Sequence, residues 1–171
     1  MTESGAFRLT KAKQLTILAL FAVTATAVSG LELLIPMDFV IPGIKLGLSN
    51  IVILLVIYRF GAKCGVAVTC FKAMLSSLLF GGFTTFLYSF SGAVLSGIAM
   101  GLVYRKESVT PVGASLLGAA VHITAQVLCA LLLLKSVYVL CYYPFVLFSG
   151  TLCGALNGII VKFIRDKYRL G

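Results

Sequence analysis

Residues 42–80 read PGIKLGLSNIVILLVIYRFGAKCGVAVTCFKAMLSSLLF. Two long apolar runs meet at one short basic break, Arg59 to Lys63. Neither run alternates polar with apolar residues, and both exceed ordinary strand length. Helices fit this pattern better than the strands of a barrel. The reading predicts one span over about Pro42–Tyr58 and a second over about Cys64–Phe80. The cations between them mark a turn at a membrane boundary, where charge meets water rather than hydrocarbon.

The same pattern continues in both directions. Further spans are expected over about Gln14–Leu34, Thr85–Tyr104, Val112–Leu134 and Tyr138–Ile164. Gly81-Gly82, Arg105-Lys106-Glu107 with Pro111, and Lys135-Ser136 punctuate them. The segment from Ile35-Pro36 to Pro42-Gly43 is the richest in turn residues and reads as an ordered loop. Sixty per cent of the 171 residues are hydrophobic and 11% charged, with a mean hydropathy of +1.10. Soluble domains run near 45–50% apolar and about 25% charged, and one small core cannot hide the excess here. The fold class expected is an all-α integral membrane protein with six transmembrane helices. Residues 14–164 form its single domain, with tails at 1–13 and 165–171.

The 14 Lys and Arg orient the bundle. Arg8, Lys11 and Lys13 precede the first span; Arg59 and Lys63 follow the second; Arg105 and Lys106 follow the fourth; Lys162, Arg165, Lys167 and Arg169 follow the sixth. All eleven fall on one side of a six-span topology, and only Lys45, Lys72 and Lys135 do not. Basic residues are retained on the cytoplasmic side, so both termini are expected there. The net charge of +9 is then a matter of topology and anionic headgroups. Without a compact basic motif, no nucleic-acid partner is expected. Lys11 and Lys13 before an apolar run ending Ala25-Thr26-Ala27 have the outline of a signal peptide. The run continues to Ile35, long for a signal core, so the first span is expected to remain.

Catalytic machinery is sparse. The five cysteines, at 64, 70, 129, 141 and 153, form no CxxC pair and read as small hydrophobes. There is no phosphate-binding GxxxxGK[ST] loop. Asp38 and Asp166 are the only aspartates, too few and too far apart to hold the magnesium that diphosphate chemistry needs. His122 and Cys129 could share a helix face, but two ligands make a poor metal site. No metal, no cofactor and no enzymatic activity are expected.

Polar residues inside hydrocarbon are costly and usually face a cavity or a partner. Glu32, Lys45, Asn50, Ser76, Ser77, Tyr88, Ser89, Ser91 and Gln126 are placed toward the outer half, Lys72 and His122 near the middle, and Asn157 in the inner half. The concentration predicts a cavity opening outward and closed below by packed apolar helix. Lys72 and Ser76 are four residues apart, as are His122 and Gln126, so each pair shares a face. Ser89 and Ser91 are expected to serve backbone carbonyls, Asn157 to bridge helices, and Glu32 and Lys45 are as readily an ordinary surface pair. If Lys45, Lys72 and His122 share one cavity with Glu32, the ligand is anionic or electron-rich. Gly150, Gly154 and Gly158, Gly97 and Gly101, and Ala22, Ala25, Thr26 and Ser29 form small-residue strips. Such strips pack internally or dock a partner.

The segment Pro42-Gly43-Ile44-Lys45-Leu46-Gly47-Leu48-Ser49-Asn50 resembles a signature of the Gx transporter family, whose members are often labelled component I of heptaprenyl diphosphate synthase. The resemblance continues through Lys72–Gly81, Ser91-Gly92-Ala93, and Gly118–His122 with Gln126. That family is similar to the membrane substrate-binding (S) components of energy-coupling factor (ECF) transporters. The likeness implies a six-helix bundle and an outward pocket for a small micronutrient or vitamin. It also implies a transmembrane coupling protein, ATP-binding cassette ATPases and a bacterial plasma membrane. It places ligand contacts at Lys45, Asn50, Lys72, His122 and Gln126. Ile123 stands where related chains often carry Asn, and Ala22-xxx-Thr26 and Ala25-xxx-Ser29 replace a strict Ala-xxx-Ala docking strip. Two other readings stay open: a non-catalytic component of a heptaprenyl diphosphate synthase, and a membrane partner of a quinone- or flavin-handling complex.

Overall fold

The computed structural model describes residues 10–32, 34, 47–106 and 108–168. Within them the chain forms six helices: α1 (Lys11–Glu32), α2 (Ser49–Phe60), α3 (Ala62–Phe80), α4 (Phe83–Val103), α5 (Pro111–Leu134) and α6 (Val139–Tyr168). No strand occurs among the described residues. Five of the helices are long and apolar enough to cross a membrane. The protein is a multi-pass, all-helical membrane protein.

The exception is α2. Its 12 residues reach about 18 Å at 1.5 Å per residue, short of a hydrocarbon core of about 30 Å. The span expected from Pro42 is therefore helical only from Ser49 onward within the described residues. Gly47 explains the boundary: its φ is +67°, a left-handed conformation that no continuous α-helix passes through. The other departures are at the ends. α1 begins at Lys11 and α6 runs to Tyr168, so both helices extend into segments expected to be tails. Arg165 and Lys167 in the last turn of α6 suit the negative end of its dipole. Thr110 caps α5, its hydroxyl accepting from the Gly113 N–H at 3.2 Å, and Pro111 at the first helical position needs no partner for an N–H it lacks.

Packing follows the inverted logic of a membrane bundle. Large side chains such as Leu78, Phe83, Leu132 and Phe148 point outward and stay exposed, where lipid tails receive them. Small residues line the contacts between helices. A β-carbon on Gly154 would lie 2.7 Å from Ala119 Cβ, and one on Gly158 would lie 2.6 Å from Val112 Cα, so α6 sits directly on α5. Gly101 brings α4 within the same reach of Ala62 on α3. The α1 strip is also turned inward: Ala22, Ala25 and Thr26 are buried, and Ala22 packs with Val56 and Val68. All three small-residue strips thus serve internal contacts. A second cluster, built on Ile53, Leu54, Ile57, Met100, Ala114 and Val161, fills the bundle near the ends of α2 and α4.

These contacts order the helices along the bundle axis. Gln14 meets Cys64, and Arg165 meets Tyr58, so the start of α1 and the end of α6 lie at one end. Nine of the eleven described Lys and Arg collect there; Lys72 and Lys135 are the exceptions.

Candidate functional site

A cavity of about 210 Å³ lies between α1, α3, α4, α5, α6 and the start of α2. All six helices contribute to its lining. On α1, Ser29 and Glu32 face it; on α3, Lys72 and Ser76; on α5, His122 and Gln126; on α6, Ser149 with Gly150 and Gly154 with Asn157. Ser49 and Asn50 enter from the first turn of α2, and Ser89 from α4. Apolar lining comes from Phe80, Ile123 and Val146. A small apolar chamber with a few convergent polar groups is the usual build of a ligand site.

The floor of this chamber is a junction between distant parts of the chain. The Asn157 amide donates to the Gly47 carbonyl at 3.0 Å. The Glu32 carboxylate accepts from the Leu48 N–H. Leu48 is the residue that opens α2, so a carboxylate sits at the positive end of that helix. Together the two bonds tie the ends of α1 and α2 to α6. Gly47 is confined at this point: beyond its positive φ, a β-carbon there would come within 3.3 Å of the Asn50 amide nitrogen.

His122 is held from α4. Its Nδ1 lies 3.4 Å from Ser96 Oγ, and the Ser96 hydroxyl donates to the Ala93 carbonyl at 3.1 Å. With that proton committed, the Ser96 oxygen can accept from Nδ1–H. Gly92 lets α4 approach: a β-carbon there would lie 3.0 Å from Gln126 Cγ, His122 Cε1 and the His122 carbonyl oxygen alike. Lys72 is half-buried and engaged with a neighbour rather than isolated. Ser76, one turn along α3, differs. Its hydroxyl is buried and has no hydrogen-bond partner among the described residues. Ser77 beside it donates to the Ala73 carbonyl at 2.5 Å and stays out of the cavity.

Of the residues expected at a ligand site, Glu32, Asn50, Lys72, Ser76, His122 and Gln126 come together in this lining. Tyr88 is half-buried on α4 but outside it. Lys45, its pairing with Glu32 and the Ile35–Lys45 loop lie outside the described residues. Ser91 serves the Tyr88 carbonyl at 3.0 Å, as expected, whereas Ser89 lines the cavity. Asn157, expected to bond across to another helix, instead donates to the Gly47 carbonyl just before α2, and it also lines the chamber. The cavity consequently extends toward the basic end of the bundle. Gly154 and Gly158 flank Asn157 and pack on Ala119, Ser115 and Val112, nearer the basic end of α5 than His122. Sequence reasoning missed Ser29, Ser49, Ser149, Gly150 and Gly154 as lining. The signal was present on α6, where 150, 154 and 157 fall on one helical face. Among the described residues, no group of three or more His, Cys, Asp or Glu is placed to hold a metal.

A membrane-embedded helical bundle with a polar chamber at its centre is the class of protein these features define. Residues 20–164 match the profile of a family described as heptaprenyl diphosphate synthase component I, and the chain belongs to that family. The description names a component of a synthase, in keeping with the expectation that this chain is not itself the enzyme. No curated protein and no solved structure shows a significant match to the chain.

Proposed function

We propose that the chain is the membrane-embedded substrate-binding component of an ECF-type micronutrient importer, holding a small ligand in the central cavity. The observation that supports this most is the buried Ser76 hydroxyl, without a partner among the described residues, in a chamber it shares with Lys72, His122, Gln126 and Asn157. A buried polar group left unpaired costs about 1–3 kcal/mol, and a ligand acceptor or donor would remove that penalty. In this reading Lys72 supplies positive charge and His122 a ring nitrogen. Gln126 and Asn50 add amide groups that fix orientation. The basic end is cytoplasmic by the retention of Lys and Arg, in a bacterial plasma membrane. A transmembrane coupling protein and ATP-binding cassette ATPases would supply the energy there. Native mass spectrometry of the protein purified from its own host tests the reading. A small molecule retained by the wild-type chain and lost from Lys72→Ala and His122→Ala is the expected result. Retention unchanged in both variants would sink the site.

The family description favours a second reading, a non-catalytic membrane component of a heptaprenyl diphosphate synthase. Here the chain would present or receive a prenyl substrate for a separate catalytic subunit. Co-purification with a soluble prenyltransferase, and prenyl transfer that needs both chains, would establish it over the importer.

A further inference from the structure

The basic end of the bundle carries a second concave region, an open basin of about 660 Å³. It is independent of the central cavity. Arg59, Arg105, Lys106 and Arg165 line it together with Tyr58 and Tyr104. The two tyrosines meet edge to face, with ring centroids 6.1 Å apart. Each has a guanidinium over its ring: Arg165 Cζ is 5.4 Å from the Tyr58 centroid, and Arg105 Cζ is 5.3 Å from that of Tyr104. Stacking of this kind restrains an arginine while leaving its N–H edges available.

Four cations around one basin repel one another. Among the described residues an ion pair at this end joins Arg165 to Asp166 at 3.5 Å, and both side chains are substantially exposed. A pair of that kind offsets little. Two further features point the same way. α3 starts at the basin with Gly61 as its capping residue and no side chain bonded to its first N–H groups, so a positive helix end faces the same space. Tyr58 is only 9% exposed, and its buried hydroxyl has no acceptor among the described residues; the polar group against it is the Arg165 guanidinium, which can only donate. Among the described residues, a donor has been folded into a cationic basin with nothing to accept from it.

We infer that this basin binds a phosphate or diphosphate group, with Arg105 and Arg165 gripping it and the Tyr58 hydroxyl donating to one of its oxygens. Planar guanidinium forks match phosphate oxygens two at a time, and a basin open at the membrane boundary admits either an anionic phospholipid headgroup or a free anion. The test uses the full chain in phosphatidylcholine nanodiscs. One arm titrates inorganic diphosphate by calorimetry. The other measures retention of phosphatidylglycerol over phosphatidylcholine by native mass spectrometry after exposure to mixed vesicles. Tyr58→Phe keeps the ring and removes the donor. It should weaken whichever ligand binds by about tenfold or more, the effect of losing a hydrogen bond to a charged group. Arg105→Gln combined with Arg165→Gln should abolish binding. Lys63→Gln and Lys162→Gln, at the same end but outside the lining, should change it less than about twofold. Tyr58-dependent binding in the first arm identifies a free anion, and in the second a lipid headgroup. Failure of both arms overturns the inference. So does binding that survives Tyr58→Phe, or that falls equally with the two lysine variants, since each would reduce the basin to diffuse charge.

Discussion

The central cavity and the basic basin each contain a buried hydroxyl whose proton no described residue accepts, Ser76 in one and Tyr58 in the other. Everything around those hydroxyls differs. The cavity is small and walled by one lysine, one glutamate, one histidine, amides and serines. The basin is open and ringed by four cations. In low-dielectric surroundings, fixed donors and acceptors discriminate by position, because an unmatched polar group is penalised in full. At a wet boundary, charge attracts any anion of suitable size and is screened by salt. One fold thus offers recognition by placement at its centre and recognition by charge at its end, and the two respond to different perturbations.

The largest expected effect separates them outright. Lys72→Ala with His122→Ala should reduce retention of the cavity ligand by roughly a hundredfold or more, taking about tenfold for each lost charged or shaped contact. Diphosphate or anionic-lipid binding at the basin should be unchanged. Loss at both sites, read by native mass spectrometry, would mean that the variants disturb the whole bundle and that the two regions are not independent. Asn157→Ala comes next. It leaves the Gly47 carbonyl without its 3.0 Å partner, at a cost of about 1–3 kcal/mol. Thermal unfolding in detergent should move down, with cavity binding lost alongside. Gly92→Ala tests placement alone. Its added methyl would press on His122 and Gln126 and should weaken the cavity ligand by about tenfold, an effect within the 1–3 kcal/mol range of overpacking. Gly82→Ala, whose β-carbon would meet nothing within 4 Å, should be silent. Equal affinity in the two glycine variants would show that α4 does not position the site.

The helices were legible because their ends carry chemistry that hydrocarbon rejects: Arg59–Lys63, Gly81-Gly82, and Arg105-Lys106 before Pro111. The start of α2 was not, because Leu46, Gly47 and Leu48 continue an apolar run, and the break is a backbone angle at Gly47. In the site, the ionisable and amide residues stood out because each is expensive in a membrane. Ser49, Ser149, Gly150 and Gly154 did not, since small residues on membrane helices ordinarily mean packing. Gly150 and Gly154 serve both ends at once: each receives a neighbour from α5, Ile123 or Ala119, and each leaves open space toward the chamber. Tertiary geometry decides which face of a small residue meets a helix and which meets a cavity, and residue type alone carries no trace of that choice.

Ser76→Ala should produce a smaller and more diagnostic change. Removing a hydroxyl that has no partner among the described residues takes away a desolvation penalty and no observed bond. The unliganded protein should therefore unfold at the same temperature or slightly higher. Affinity for the cavity ligand should nonetheless fall by about three- to tenfold, the range of one ordinary hydrogen bond. The basin offers the contrasting control. Raising ionic strength from about 0.05 M to about 0.5 M shortens the screening length from roughly 14 Å to roughly 4 Å. That change should weaken anion binding at Arg59, Arg105, Lys106 and Arg165 severalfold while leaving the Ser76-dependent contact nearly unaffected. If salt weakens both alike, the cavity is selecting by charge through Lys72, and its serines and amides are scaffolding. If salt spares the cavity while Ser76→Ala does not, placement is the selecting principle there.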